Sequence, residues 1–531
     1  LENCKFILNK LLGNKSKQNS TGISIKKASK MLRRHTKALL GYRSKGRRVR
    51  IMVTLPSEAA YNYDLVHDLI KAGMNTARVN CAHDGPDQWA KMIKNVSIAK
   101  KKLKKNCNIS MDLAGPKIRT GAIEAGPEVR RFKPSKNEFG QVIEAAVISI
   151  VSELSEEGLN ELPVDQEWIS KLKVGDKITF VDTRDKPRSF TVKSLEDNQV
   201  IAHGLETCYL QTGSILTIAG SEDTTKVKKL PALEQTLLLK VGDTLRILKD
   251  QIPGRPIQYD DEGASIAGAF ISCTSKEVFE YVKEGERILF DDGKIAGIIK
   301  ELTTSEITVE ITHAKVTGTS LKADKGINLP ETELGISGLT AKDKEDLKFI
   351  VQHADVINFS FVNSPEDVEE LLAELESLNS TNKLGIILKI ETQSAYNNLT
   401  EILLAGMQNY PLGVMIARGD LAIETGWENM ARIQQEILSL CNAAHVPDVW
   451  ATQVLETLAK KGIPARSEIT DVATALNAEC VMLNKGAYIL RAVTLIDYIF
   501  KSLSKYRDKN LKMSPAMEKA SISLEEAMQH E

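Results

Sequence analysis

Lys389, Glu391 and Asp420 are the side chains of this sequence best placed to do chemistry. Lys389-Ile390-Glu391 closes the apolar run Leu384-Gly385-Ile386-Ile387-Leu388, and Ala417-Arg418-Gly419-Asp420 closes Gly413-Val414-Met415-Ile416. Continuous apolar runs of this length read as buried parallel strands. Two neighbouring strands would therefore end in a lysine and two carboxylates. Such a pair suits one Mg²⁺, which takes a few carboxylates together with substrate oxygens, and an ammonium beside it could hold a developing negative charge. The plainer alternative is a pair of helix-capping carboxylates.

Other strand ends add polar groups of the same kind. In Gly419-Asp420-Leu421-Ala422-Ile423-Glu424 a strand turns into a helix, and its free amides could hold a carboxylate or phosphate. Ala77-Arg78-Val79-Asn80-Cys81-Ala82-His83 offers Arg78 to a phosphate or to a structural ion pair, and His83 reads as a structural histidine. Met111 to Gly121 contains Asp112, a Gly115-Pro116 turn, then Lys117 and Arg119 at alternating positions. Thr452, at the end of a further run, could relay a proton or merely cap a helix.

The elements that must position these groups are eight strand-like runs: Val49–Leu55, Thr76–Cys81, Asn108–Leu113, Val356–Phe361, Leu384–Glu391, Gly413–Gly419, Asp448–Gln453 and Glu479–Asn484. Amphipathic helices lie between most of them. Eight βα units predict an α/β fold, the TIM (β/α)8 barrel, whose active site sits at the C-terminal strand ends. A doubly wound open sheet is the alternative.

Residues 122–326 interrupt the pattern after the third strand. They alternate β-branched and polar residues around Gly and Asp turns, as in an all-β lid. Leu172-Lys173-Val174-Gly175-Asp176 recurs as Leu239-Lys240-Val241-Gly242-Asp243, with a looser echo at Val282-Lys283-Glu284-Gly285-Glu286. The flanks suggest a duplicated or enlarged lid; the pentapeptide alone suggests only a common turn. The expected organisation is a basic extension (1–48), barrel strands one to three (49–121), the lid (122–326), the rest of the barrel (327–510) and a polar tail (511–531).

Bulk properties exclude other classes. The 531 residues are 42% hydrophobic and 26% charged, the composition of a globular chain. No apolar run reaches membrane-spanning length. The formal net charge of zero hides an asymmetry: residues 1–50 carry fifteen Lys or Arg and one acid, Glu2. That head reads chiefly as a solvated, partly helical extension over Ile25–Leu40. Nucleic-acid binding is the weaker reading, and a targeting remnant, which would imply an organelle, is a third. Seven dispersed cysteines without metal-ligand spacing point to a reducing, cytoplasmic setting and away from zinc.

Taken in order, these segments resemble pyruvate kinase over residues 49–500. Asn75 to His83 matches the family's Asn-x-Ala-Arg-x-Asn-x-Ser-His, and Asp112 to Gly121 its Asp-x-x-Gly-Pro-x-Ile-Arg-x-Gly. Asp291-Asp292-Gly293, Asn328-Leu329-Pro330, Ser360-Phe361, Lys389 to Glu391, Ala417 to Glu424, Ala451 to Glu456, Arg466-x-Glu468 and Asp471-Val472-Ala473 follow.

The resemblance implies transfer of a phosphoryl group from phosphoenolpyruvate to ADP, giving pyruvate and ATP. In that scheme Glu391 and Asp420 hold Mg²⁺ and Lys389 stabilises the transferring phosphoryl group and the enolate. Arg78 binds the phosphoryl group. The Gly419 and Asp420 amides, with Ser360 and Thr452, take the substrate, and Thr452 helps protonate the enolate. Arg119, Asn80, His83 and Asp292 meet the nucleotide. Asn80, Asp112 and Lys117 mark the monovalent-cation region, and the outer barrel faces are where copies of the chain would associate.

Departures carry information too. Lys117 replaces a glutamate of potassium-dependent members, and Ala82 and Leu113 replace hydroxyl ligands, so K⁺ is not expected to be required. The family's Ser-Gly-Glu-Thr loop shrinks to Asn484-Lys485-Gly486, the lid is about twice the usual size, and the regulatory C-terminal domain is expected to be absent. Two alternatives follow: a catalytically weak, metabolite-binding regulator, or another Mg²⁺-enolate barrel lyase.

Overall fold

A computed structural model describes residues 23–155, 158, 160–196, 199–259 and 265–503. The start of the basic head and the polar tail at 511–531 lie outside the described residues. Eight parallel strands close into one barrel: β1 (Arg50–Thr54), β2 (Thr76–Asn80), β3 (Asn108–Asp112), β4 (Val356–Phe359), β5 (Gly385–Ile390), β6 (Leu412–Ala417), β7 (Asp448–Ala451) and β8 (Cys480–Leu483). β8 returns to pair with β1. The expected runs overshoot the strand ends by one or two residues; at β4 and β7 the residues beyond include Phe361, Thr452 and Gln453, which adopt positive φ angles. The left-handed region breaks the ladder at the mouth.

Every residue of β5 and β6 is buried, as expected for strands covered on both faces. Helix α1 (Ile25–Leu40), capped by Ser24, sends Leu39 and Leu40 into a cluster with Met52, Val356, Ile387, Met415, Val449 and Met482. A Cβ added at Gly385 or Gly413 would lie 2.6 or 2.3 Å from Leu39, so two glycines make room for the plug. Two capping boxes fix later helices. Thr340 and Asp343 start α2 (Ala341–His353), and Ser364 and Asp367 start α3 (Pro365–Ser377). Asp343 also accepts from the amides of Ala114 and Gly115, which ties the turn before Lys117 to the barrel.

The insert between β3 and β4 contains two principal sheets with separate cores. The proximal core gathers Ile118, Leu245, Ile288, Phe290 and Val309; the distal core gathers Ile148, Trp168, Ile178, Phe190 and Ala202. The distal lobe is spliced into the proximal one through a narrow stalk, where Gly126 donates to the Leu233 carbonyl and Leu233 to the Pro127 carbonyl.

The sheets repeat one strand order. In the distal lobe Ala146–Val151 pairs in parallel with Glu161–Pro163. A one-turn helix (Gln166–Ile169) follows, then an antiparallel run of Lys177–Val181, Pro187–Glu196 and Gln199–Gly204 that returns to the first strand. The proximal lobe does the same with Thr244–Leu248, Ala269–Ser272, helix Val278–Tyr281, Arg287–Phe290, Ile295–Leu302 and Glu306–His313.

By this order Gly175-Asp176 corresponds to Gly285-Glu286, and the stronger sequence match, Gly242-Asp243, is not its counterpart. All three glycines have φ between 88° and 95°. In all three turns a following acid (Asp176, Asp243 or Glu286) accepts from the lysine amide three residues back. The pentapeptide is thus a local turn solution used three times, which is why its closest match misaligns the lobes.

Candidate active site at the barrel mouth

The strand ends bring Lys389, Glu391, Asp112, Arg78 and Ser360 into one buried network. The Lys389 ammonium lies 3.0 Å from Glu391 Oε1 and 3.5 Å from Asp112 Oδ2, and donates to Ser360 Oγ at 2.8 Å. Arg78 grips Asp112 with Nε and Nη2 at 2.8 and 2.6 Å and donates from Nη1 to Thr54 Oγ1. Asn358 donates to the same carboxylate. At the mouth, therefore, the Arg78 guanidinium is an ion-pair partner of Asp112.

Burial sets the electrostatics. Desolvation alone would drive Lys389 towards neutrality, but Glu391 and Asp112 more than offset it and raise its pKa. For Asp112, burial is likewise overcome by Arg78 and Lys389, which hold its carboxyl below the usual range. Glu391 differs. Burial raises its pKa, and the like charge of Asp420 adds to that against the opposing pull of Lys389. Its other oxygen accepts from the Phe361 amide at 2.7 Å.

Helix α4 (Arg418–Thr425) begins at the end of β6 and carries Gly419 and Asp420 in its first turn. The Gly419 amide donates to Thr452 Oγ1 at 2.6 Å. That amide, expected to be free for a substrate carboxylate, is already engaged because Thr452, at φ 62°, turns its hydroxyl back towards β6. Arg418 forks onto Asp471 and donates to the Ala451 and Thr452 carbonyls. It thereby holds the strained end of β7. Sequence reasoning gave Arg418 and Asp471 no role; their pairing emerges only when β6 and β7 lie side by side.

Lys117 reaches Asp420 Oδ1 at 3.3 Å rather than joining Asp112 and Asn80. Arg78, Asn80 and His83 line a cavity of about 230 Å³ together with Glu456, Lys460, Asn484 and Lys485. Lys485, read from sequence only as part of a shortened loop, thus supplies a cation there. Arg119 and Asp292 do not line this cavity. Arg119 is on the lid hinge, bonded to the Asp324 carbonyl, and Asp292 occupies an exposed turn of the proximal lobe. One further carboxyl was missed: Glu424, buried in α4, accepts from Asn328 Nδ2 at 2.7 Å, and burial pushes its pKa up to about 7.

Among the described residues no three His, Cys, Asp or Glu side chains cluster as a metal cage. Two carboxylates at adjacent strand ends, one of them crowded by the other's charge, do fit a hard cation that completes its shell with water and substrate oxygens.

Fold and site together define a (β/α)8-barrel protein with a charge-dense mouth beside an inserted β lid. The chain matches the family described as pyruvate kinase, barrel domain, in two stretches, residues 46–235 and 236–493. It belongs to the pyruvate kinase family. The two stretches meet beside the stalk that joins the lobes.

Relatives include a pyruvate kinase of Thermococcus litoralis, 32% identical over 289 residues, which are 52% of this chain and 57% of the relative. One from Sporosarcina psychrophila is 36% identical over 236 residues, 43% and 39% of the two chains. A rat pyruvate kinase is 37% identical over 222 residues, 40% and 37%. The matches thus span roughly two-fifths to three-fifths of these relatives. The crystal structure of a pyruvate kinase from Cryptosporidium parvum shares the fold, with a TM-score of 0.59 at 22% identity over 89% of this chain and 73% of that one. Among the described residues no helix is long and apolar enough to cross a membrane.

Proposed function

We propose that this chain transfers the phosphoryl group of phosphoenolpyruvate to ADP, releasing pyruvate and ATP. The observation that carries the proposal is the buried Lys389 ammonium, kept charged between Glu391 and Asp112 and hydrogen-bonded to Ser360. A fixed cation in a low-dielectric mouth is worth far more than one in water. It would face the negative charge that spreads over the phosphoryl oxygens and the enolate as the phosphorus–oxygen bond of phosphoenolpyruvate breaks and a new one to ADP forms. Glu391 and Asp420 would hold Mg²⁺, whose contribution when bound is charge neutralisation and alignment of substrate oxygens.

Thr452 is suited to the closing proton transfer. Its oxygen already accepts the Gly419 amide, which leaves the hydroxyl proton free to point at the enolate carbon. In the cavity lined by Arg78, Asn80, His83, Glu456, Lys460 and Lys485, Arg78 is held by Asp112 and Lys460 by Glu456, so Lys485 is the cation on offer to a diphosphate, and the proximal lobe with Arg119 and Asp292 would cover the nucleotide. Lys117, paired with Asp420, places a permanent charge by the metal ligand and makes an added K⁺ unnecessary.

Supplying phosphoenolpyruvate, ADP and Mg²⁺ and following pyruvate tests the proposal. ADP-dependent pyruvate, unchanged when KCl replaces another salt at constant ionic strength, is the expected result. A steep rise with KCl would overturn the potassium reading. Release of pyruvate without ADP would point to a lyase, and none at all to a binding protein.

A further inference from the structure

The lid is tied to the barrel by side-chain contacts as well as by the chain of its two connecting segments. The outgoing and returning segments form a short ribbon: Ile327 donates to the Ile118 carbonyl at 2.9 Å, and Thr120 to the Lys325 carbonyl at 2.8 Å. Three contacts then run from lid segments to a single helix, α4. Lys117, on the outgoing segment, meets Asp420. Asn328, on the returning segment, donates to Glu424 at 2.7 Å. The turn at Gly293 faces Ile423, whose Cδ1 would lie 3.3 Å from a Cβ added there. Asp420 and Glu424 are one helical turn apart and so share a face of α4.

Asn328 is also paired with Leu289, in the strand that leads into Asp291 and Asp292. One hydrogen bond therefore connects the strand before the Asp291–Gly293 turn to the helix that carries Asp420. Glu424 is 6% exposed and does not line the cavity beside Arg78.

We propose that Glu424 is a positioning residue: through Asn328 it latches the returning lid segment onto α4 and sets the lid's position relative to Asp420. A lid shifted by an ångström would still fold but would misplace the nucleotide against the phosphoryl group. The inference rests on the kinase reading for its catalytic consequence, but not for the latch itself.

The test compares Glu424→Ala, Asn328→Ala, the double variant and Glu424→Gln in the full chain. With the latch, each alanine variant should lower kcat on the order of ten- to a hundredfold, the penalty of a small misplacement. KM for ADP should rise and KM for phosphoenolpyruvate should stay unchanged. The double variant should be no worse than either single one, and Glu424→Gln, which keeps an acceptor oxygen, should restore most activity.

Losses that multiply in the double variant, or alanine variants with unaltered kcat and KM, would overturn the proposal. A structural role alone would lower Tm and the active fraction without moving KM. Amide hydrogen exchange gives a readout independent of turnover. Exchange at Thr120 and Ile327 should accelerate in Asn328→Ala, and unchanged exchange would sink the latch. If the wild-type protein makes no pyruvate from phosphoenolpyruvate and ADP, the kinase reading fails, and the exchange measurement still decides the latch. Should Glu424→Ala fail to fold, Asn328→Ala, at a less buried position, decides instead.

Discussion

The two lobes of the insert share a strand order, yet among the described residues the contacts with the helix that carries Asp420 come from the proximal lobe and its connecting segments. The proximal lobe contributes Ile118, Asn328 and the Asp291–Gly293 turn to the region around α4, and its core is continuous with the hinge. The distal lobe stands on a two-strand stalk and closes a core of its own. Shared topology therefore does not confer a shared role; what matters is which side chains a lobe brings to the mouth. The barrel mouth is the extreme of this contrast, since its buried charges are fully interdependent.

The comparison can be broken, or sharpened, by experiments of decreasing effect. Lys389→Met should reduce phosphoryl transfer by roughly a thousandfold, the upper range for loss of one preorganised electrostatic group. Initial rates of pyruvate formation would show it, and activity within tenfold of wild type would remove Lys389 from the mechanism. Asp112→Asn leaves Arg78 and Lys389 short of a buried counter-charge and should cost about 3–5 kcal/mol of stability. Denaturant unfolding measures that loss. A change near zero would mean that water reaches the network.

Excising residues 127–232 and bridging the stalk with a short Gly-Ser segment should leave turnover within about fivefold, under ~1 kcal/mol of barrier. A larger loss would show that the distal lobe acts on the site after all.

The smallest effect concerns Glu424, whose carboxyl is raised from the usual 4.5 to about 7 by burial. The folded state then binds the proton more tightly than the unfolded chain. The resulting stability is fully present below pH 4.5 and lost as pH rises through about 7. Glu424→Gln cannot ionise, so its Tm relative to wild type should climb between pH 5 and 8. A pH-independent difference would place the carboxyl in a wetter site than the geometry indicates.

The barrel strands and the core of the mouth were legible in the sequence because each is local. An apolar run such as Gly385–Leu388 announces its own burial, and Lys389 and Glu391 come at its end. The lobes were not legible in the same way. Their shared topology lies in which strands pair, as when Val200 meets Ile150, and no short motif records that. The one motif that did repeat, Lys-Val-Gly-Asp, reports a turn geometry and aligned the wrong segments. Lys117 with Asp420, 303 residues apart, and Arg418 with Asp471 were likewise out of reach of any spacing rule.

Residue types and their order alone dictated eight buried strands, an alternating polar insert and a lysine and two carboxylates at strand ends, since period, apolar content and turn chemistry act over a few residues. Only closure of the barrel decided that Arg78 neutralises Asp112, that Thr452 occupies the Gly419 amide and that Glu424 meets the hinge. Those contacts depend on distances between remote segments, and a buried charge is tolerated only where such a partner arrives.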